Sequence, residues 1–392
     1  MESRRPIRVA QVTTTAVSVR YLLRDHIERL LTEGYEVDVV CGPDDSTSFL
    51  EGLGIRVVQI PFVREPSPVA DLKTTRALWS LFKSKRYDIV HSHTPKAGLL
   101  SPVAGRLART PVVLHTVHGL LFHDKSRPME KALGAVCEFW TAGFAHRLLS
   151  QSREDIQVAA RVHLKAAERI DYIGNGIDIQ RFNPGVAVGA RDRLRAELGA
   201  GHDDVVVGMV GRMVREKGFL EFFEAMRQVM DVRPNVRMLL IGPTEKDQSD
   251  GLDPVALTSN LDPARTAWLG HRSDIPELYG AMDVFALPSY REGVPRALME
   301  ASASGLPVVA TNIRGCREVV KDGETGILIE PRQVPPLRNA ILRLVDDSAL
   351  RTRMGQAGRA HIVKEFDAEL VLDRLAAYYR NLVNTHRLGE NQ

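Results

Sequence analysis

Residues 291–311 read REGVPRALMEASASGLPVVAT. Pro295 suits the first turn of a helix, where a missing N–H costs nothing. The preceding SYREGV is then a loop that leads into a helix N-terminus. Gly305 and Pro307 end that helix, and the apolar run after them starts a strand. A loop, a short helix and a buried strand in this order form one step of a parallel α/β sheet. The same stretch holds two acids separated by seven residues, Glu292 in the loop and Glu300 in the helix, a spacing of about two turns. Leu298, Met299, Ala301 and Ala303 leave Glu300 little polar face, and a carboxylate buried without a partner is costly.

The rhythm extends in both directions. In the first half, short β-branched runs at Ile7–Val12, Glu36–Cys41, Arg56–Ile60, Tyr87–His91, Val112–His115 and Arg147–Ser150 predict strands. Val19–Glu33, Leu72–Lys85 and Ala97–Arg109 predict helices between them. A Gly-, Pro- and Asn-containing stretch marks a linker near residues 183–190. The alternation then restarts, with strands expected at Val205–Val210, Val236–Ile241, Asp283–Leu287, Pro307–Ala310 and Ile327–Ile329 and a helix at Gly218–Val232. Ala368–Leu382 reads as an amphipathic helix. The expected domains are 1–184, 191–366, and a C-terminal helix, 367–392, that packs back on the first. Ligands in such sheets bind at the carboxyl ends of the strands.

The chain has 392 residues, 44% hydrophobic and 26% charged, with a net charge of +3. That is globular composition, and so small a charge gives no reason to expect a nucleic acid partner. Cys41, Cys137 and Cys316 are far apart and lack metal spacing, which fits reduced thiols in a cytoplasm. The start, MESRRPIRVAQV, has no signal-peptide apolar core, and no run reaches the roughly 20 apolar residues of a membrane span.

A second anion-binding candidate is GRMVREKGF, residues 211–219, between an expected strand and an expected helix. Arg212 and Lys217 bracket its turn. Backbone amides and two cations suit a diphosphate. The bland alternatives are a solvated charged turn here, a helix-start acid at Glu292, and an exposed ion pair of Arg296 with Glu300. In the first half, DIVHSHTPKAGLL (88–100) and VVLHTVHGLLFH (112–123) are strands that end in polar clusters. Their histidines, His91, His93, His115, His118 and His123, have no acid at ligand spacing, so no metal site is expected. No Asp-x-Asp pair occurs in the chain.

The run WLGHRSDIPELYGAMDVFALPSYREGVPRALMEASASGLPVVATNIRGCREVVKDGETGILI resembles the donor domain of the family 4 glycosyltransferases. Their hallmark acid pair is met by Glu292 and Glu300. GRMVREKG resembles the family's diphosphate turn, and NGIDIQRF (175–182) resembles the segment before its interdomain linker. The resemblance implies a GT-B fold, with two doubly wound Rossmann-like α/β domains facing each other across a cleft. It implies that Arg212 and Lys217 hold the donor diphosphate, Glu300 the ribose hydroxyls, and Glu292 the donor sugar. Amides around Gly293, Val294, Arg296 and Ala297 would meet sugar and phosphate, and Gly270, His271 and Arg272 would lie near the base. His118 matches the family's histidine near the donor sugar. Pro295 departs from the pattern, since many members have a second glycine there. TTTAVSVR (13–20) departs too, with Thr14 and Thr15 in place of a glycine pair and their hydroxyls expected to face acceptor or phosphate.

HTPKAG and TVHGLLFH are similar to a subgroup that builds bacterial surface polysaccharides, which would put His93 and Lys96 on the acceptor side. The implied activity is retaining transfer of a hexose or N-acetylhexosamine from a UDP-sugar to a hydroxyl, without metal, cofactor or protein nucleophile. The implied acceptor is a saccharide or a polyprenyl-diphosphate-linked saccharide. The stretch 123–147 carries Lys125, Arg127, Lys131 and Arg147 around Leu133, Val136, Phe139, Trp140 and Phe144. It reads either as a peripheral membrane contact at the inner face or as a core-facing helix with a solvated end. Rival activities are an isomerase like UDP-N-acetylglucosamine 2-epimerase and a non-catalytic sugar-nucleotide binder.

Overall fold

A computed structural model describes residues 5–63, 65–122, 128–187, 189–245, 250–259 and 261–389. The chain divides into two units, Met1–Gly174 with Val371–Gln392, and Asn175–Leu370. Residues 175–184, grouped with the first half in the sequence reading, lie in the second unit.

The first unit holds a parallel sheet of β1 (Arg8–Thr15), β2 (Glu36–Gly42), β3 (Arg56–Gln59), β4 (Ile89–Ser92), β5 (Val112–Val117), β6 (Arg147–Ser150) and β7 (Ile170–Tyr172). Its order is β3-β2-β1-β4-β5-β6-β7. The central strands are buried on both faces, which explains their near-continuous apolar sequences. The order reverses between β1 and β4, where a doubly wound sheet opens a crevice at its carboxyl edge. The helix Ala368–Thr385 inserts Val371, Leu375, Tyr379 and Leu382, spaced for one helical face, into this unit's core. Tyr379 packs edge-on against Tyr35 with ring centroids 5.7 Å apart.

The second unit repeats the plan with β8 (Val205–Val210), β9 (Val236–Ile241), β10 (Thr266–Trp268), β11 (Val284–Leu287), β12 (Val308–Thr311) and β13 (Gly326–Ile329), in the order β10-β9-β8-β11-β12-β13. Its switch lies between β8 and β11. The helix Phe219–Val232 covers the sheet with Phe219, Phe222, Phe223, Met226, Val229 and Met230. Gly218 precedes it at φ +78°, and a Cβ there would lie 2.1 Å from the Pro288 carbonyl oxygen. Only glycine lets this turn meet the end of β11 so closely.

Two strands escaped the sequence reading, β7 and β10. Each has three residues and stands at a sheet edge, too short to show a period. The expected helix Val19–Glu33 is two helices, Ala16–Leu22 and Arg24–Thr32, broken at Leu23. Arg147 belongs to β6 and pairs with Asp171 at 2.8 Å, so it is not part of a basic helix end. His123, Lys125 and Arg127 lie outside the described residues.

Candidate active site

In the second unit, the carboxyl ends of neighbouring β8 and β11 bring both anion-binding candidates together. The turn Arg215–Lys217 and the loop after β11 are tied by a backbone bond from Tyr290 N to Glu216 O, 2.8 Å, and by the ion pair Arg291–Glu216, 3.0 Å. Gly315 clamps the loop from its other side, because a Cβ on it would sit 1.5 Å from Gly293 O. The loop is therefore fixed by backbone contacts.

This framing places Lys217 Nζ 2.6 Å from Glu292 Oε1. Ser289 Oγ donates to the same oxygen at 2.7 Å. Both bonds fall on Oε1, so Oε2 has no hydrogen-bond partner among the described residues. Arg212 stays half-exposed, and its Nη1 lies 3.7 Å from Glu245 Oε1, a loose contact that an anion could replace. Pro295 caps the helix Arg296–Ala303 with extended backbone, and its carbonyl accepts from Leu298 N and Met299 N. The amides of Arg296 and Ala297 precede the first intrahelical bonds, where an anion is favoured. The departure at Pro295 thus removes one amide but keeps the helix start.

Glu300 lies on the same helix with its side chain mostly buried. Its Oε2 accepts from Tyr279 OH at 3.0 Å, and its Oε1 is 3.9 Å from Arg296 Nε. The surface-pair alternative therefore does not describe it. Burial raises the Glu300 pKa, opposed by Arg296 and by the Tyr279 hydrogen bond. The Tyr279 phenol and the guanidinium groups of Arg296 and Arg181 compensate a buried carboxylate only in part. Gly270, at φ +62°, accepts from Gly242 N at 2.8 Å, while His271 is exposed and Arg272 forks onto Asp274, with Nε 2.7 Å from Oδ1. Val294 is buried and its carbonyl accepts from Asn175 Nδ2 at 3.1 Å.

In the first unit, adjacent β1, β4, β5 and β6 bring Gln11, His91, His93, Thr116, His118 and Gln151 to one sheet edge. His93 Nε2 lies 2.7 Å from Gln11 Oε1, His93 Nδ1 3.2 Å from His118 Nε2, and His118 Nδ1 3.0 Å from Gln151 Oε1. Burial lowers the pKa of all four described histidines of the two motifs. His118 falls to about 4, with the Gln151 bond opposing the shift, and His115 to about 3, with His118 also lowering it. These imidazoles are neutral at pH 7.

The other first-unit candidates are bound to their own chain. Thr14 Oγ1 meets Thr94 Oγ1 at 2.5 Å. Thr15 Oγ1 lies 2.9 Å from Ser18 Oγ and caps the helix Ala16–Leu22. Lys96 is buried, with Nζ 2.7 Å from Asp71 Oδ2 and 3.0 Å from Glu65 O. Among the described residues no cluster of three or more His, Cys, Asp or Glu could hold a metal ion.

Sequence reasoning missed Tyr279, Ser289, Gln11, Gln151 and Tyr379. Gln11, a polar residue inside an apolar strand, was the one visible signal; Tyr279 and Tyr379 read as core aromatics.

Comparison with known proteins agrees with this layout. A family model described as Glycosyl transferases group 1 matches residues 190–361, and one described as Glycosyl transferase 4-like domain matches residues 19–176. The UDP-Gal:alpha-D-GlcNAc-diphosphoundecaprenol alpha-1,3-galactosyltransferase of Escherichia coli is 33% identical over 362 residues, covering 91% of this chain and 92% of that protein. The capsular polysaccharide biosynthesis glycosyltransferase CapM of Staphylococcus aureus is 27% identical, covering 92% of this chain and 94% of its own. The N,N'-diacetylbacillosaminyl-diphospho-undecaprenol alpha-1,3-N-acetylgalactosaminyltransferase of Campylobacter jejuni is 24% identical, covering 96% and 99%. Among solved structures, Thermosynechococcus elongatus sucrose-phosphate synthase superposes with a TM-score of 0.82 at 23% identity, over 97% of this chain and 100% of that one. Anabaena HepE in complex with UDP and glucose gives 0.78 at 22% identity, over 96% and 100%. The structural likenesses show the shared fold.

Proposed function

This chain belongs to the group 1 glycosyl transferases, enzymes of GT-B fold that transfer glycosyl groups, and we propose that it moves a hexose or N-acetylhexosamine from a UDP-sugar to a lipid-linked saccharide. The observation that carries the donor half is the convergence of Lys217, Glu292 and the Arg296–Ala303 helix start at one strand edge, with buried Glu300 behind them. That arrangement offers cations and amides to a diphosphate, a carboxylate to the ribose, and a second carboxylate to a sugar. The acceptor half is supported by the Escherichia coli and Campylobacter jejuni relatives, whose names specify diphosphoundecaprenol-linked saccharides. The isomerase and the non-catalytic binder are not favoured by these relationships.

In this reading Arg212, Lys217 and the helix-start amides stabilise the leaving diphosphate, the largest demand of the transfer. Glu292 holds sugar hydroxyls through Oε2. His118 holds the reacting groups through one ring nitrogen and does not attack. The acceptor hydroxyl enters on the leaving-group face, its proton passes to the departing phosphate oxygen, and the anomeric configuration is retained. No metal takes part. The helix Pro128–Phe144 exposes Leu133, Val136, Phe139 and Trp140 at 63%, 64%, 45% and 51%, a stripe suited to a membrane surface that presents the acceptor. No helix among the described residues is long and apolar enough to cross a membrane.

The test is turnover with a panel of UDP-sugars and a synthetic polyprenyl-diphosphate disaccharide, with and without EDTA. The expected result is EDTA-insensitive UDP release that requires acceptor and gives a product of retained configuration by NMR. Strict metal dependence or an inverted product would overturn the mechanism.

A further inference from the structure

One buried hydrogen-bonded chain in the first unit is longer than the proposed chemistry requires. It runs from Gln151 through His118, His93 and Gln11 to Tyr379, and on through His91 to Thr116. Tyr379 OH accepts from Gln11 Nε2 at 3.0 Å and lies 2.7 Å from His91 Nδ1, while His91 Nε2 is 2.7 Å from Thr116 Oγ1. Gln11, His91, His93, Thr116, Gln151 and Tyr379 are each 5% exposed or less.

We propose that Tyr379, on the C-terminal helix Ala368–Thr385, is a positioning residue that sets the tautomer and ring orientation of His118 through Gln11 and His93. A neutral imidazole has one N–H and one lone pair, and a carboxamide has one donor end and one acceptor end. A saturated chain of such groups is therefore ordered from end to end. Gln11 gives its amide N–H to the Tyr379 oxygen, so the Tyr379 proton goes to His91 Nδ1. Gln11 Oε1 then takes a proton from His93 Nε2, and the His93 Nδ1 lone pair accepts the Nε2–H of His118. The Nδ1 of His118 is left as a lone pair, so this order requires the Gln151 carboxamide to be turned over from the orientation that sets its Oε1 3.0 Å from that nitrogen, exchanging oxygen for N–H.

The His93–His118 link, at 3.2 Å, is the longest in the chain. It is the bond a ligand oxygen replaces, so His118 presents Nε2–H to the substrate. This rests on the assignment of His118 to the reacting groups. The pairing itself does not, because it is a property of the free protein.

The test uses the full chain with 15N-labelled histidine. In the wild type, the ring nitrogens of His118 and His93 are expected to show single neutral Nε2–H tautomers near pH 7. Tyr379→Phe keeps the ring that packs on Tyr35 but removes the hydroxyl. It is expected to shift both histidines toward mixed tautomers and to lower kcat about tenfold with donor KM unchanged. That is a fraction of the roughly 10²-fold or more that a well-placed proton-transfer group supplies. Gln11→Met breaks the chain at a second point and should reproduce both effects if Tyr379→Phe does not fold. Unchanged His118 nitrogen shifts in a folded variant would overturn the relay. Shifted nitrogens in a protein with no transferase activity would keep the relay and overturn the proposed function instead.

Discussion

Lys217 and Glu292, 75 residues apart in the chain, form an ion pair of 2.6 Å between the ends of β8 and β11. In the proposed reading, the cation assigned to the diphosphate is held in the free protein by the acid assigned to the sugar. On that reading, donor binding is expected to draw Lys217 toward the diphosphate and leave Glu292 Oε1 with Ser289 alone. Lys217→Ala is expected to lower kcat/KM about 10²- to 10³-fold, as for loss of one charge-stabilising donor. Glu292→Gln should lower kcat with little change in UDP affinity, and the double variant should fall short of the product of the two effects. Steady-state kinetics and UDP titration check all three, and a Lys217→Ala enzyme within threefold of wild type would exclude the diphosphate role.

In its proposed role Glu300 would accept ribose hydroxyls best as a carboxylate, and burial raises its pKa. Nucleotide affinity should therefore weaken, as pH falls, sooner than an ordinary carboxylate would dictate. Glu300→Gln should remove that pH dependence. Glu300→Ala should cost about 1.5–3 kcal/mol, or roughly ten- to a hundredfold in UDP affinity, the range for hydrogen bonds to a charged group. Tyr279→Phe deletes a hydrogen bond that lowers the Glu300 pKa, so the pH dependence should move upward. Calorimetric UDP titrations between pH 5 and 8 read each effect.

The buried histidines make stability depend on pH with a definite sign. His118 and His115 titrate at about 4 and about 3 in the folded chain, against 6.5 as the ordinary value. Between these limits the unfolded chain binds more protons, so stability rises with pH. Their contribution is full above pH 6.5 and is lost as pH falls toward 4 and then 3. Each proton adds a slope of about 1.4 kcal/mol per pH unit. Urea unfolding from pH 7 to pH 5 should show a decline that is smaller in His118→Gln, and an equal decline in that variant would count against the neutral assignment.

Gly315 and Gly143 give a matched pair of tests. A Cβ at Gly315 meets the Gly293 carbonyl at 1.5 Å, while one at Gly143 meets nothing within 4 Å. Gly315→Ala must push the Glu292 loop away, and UDP affinity should fall more than tenfold along with Tm. Gly143→Ala, in an open helical position, should stabilise by about 0.4–1 kcal/mol and leave UDP binding alone. Thermal melts with and without UDP distinguish the two.

The candidate donor site was legible because its parts lie in short contiguous motifs. REGVPRALME and GRMVREKGF carry helix-start and turn chemistry that is local, so Glu292, Glu300, Arg212 and Lys217 stood out before any contact was known. The first unit was harder. Lys96, expected on the acceptor side, is buried against Asp71, and Thr15, expected to face acceptor or phosphate, is a helix cap. Such assignments depend on residues 25 or more positions away or on where a strand stops, neither of which a local pattern records.

The sequence by itself determined the period of strands and helices, the two sheets, the position of the acid pair, and the polar ends of β4 and β5. These follow from backbone geometry and local side-chain chemistry. Only the tertiary structure decided that Lys217 pairs with Glu292, that Tyr279 supports Glu300, and that Tyr379 reaches His91 directly and His93 through Gln11. Strand order is set by how all the apolar faces pack at once. That order, β1-β4-β5-β6 in one sheet and β9-β8-β11 in the other, is what turns scattered polar residues into neighbours.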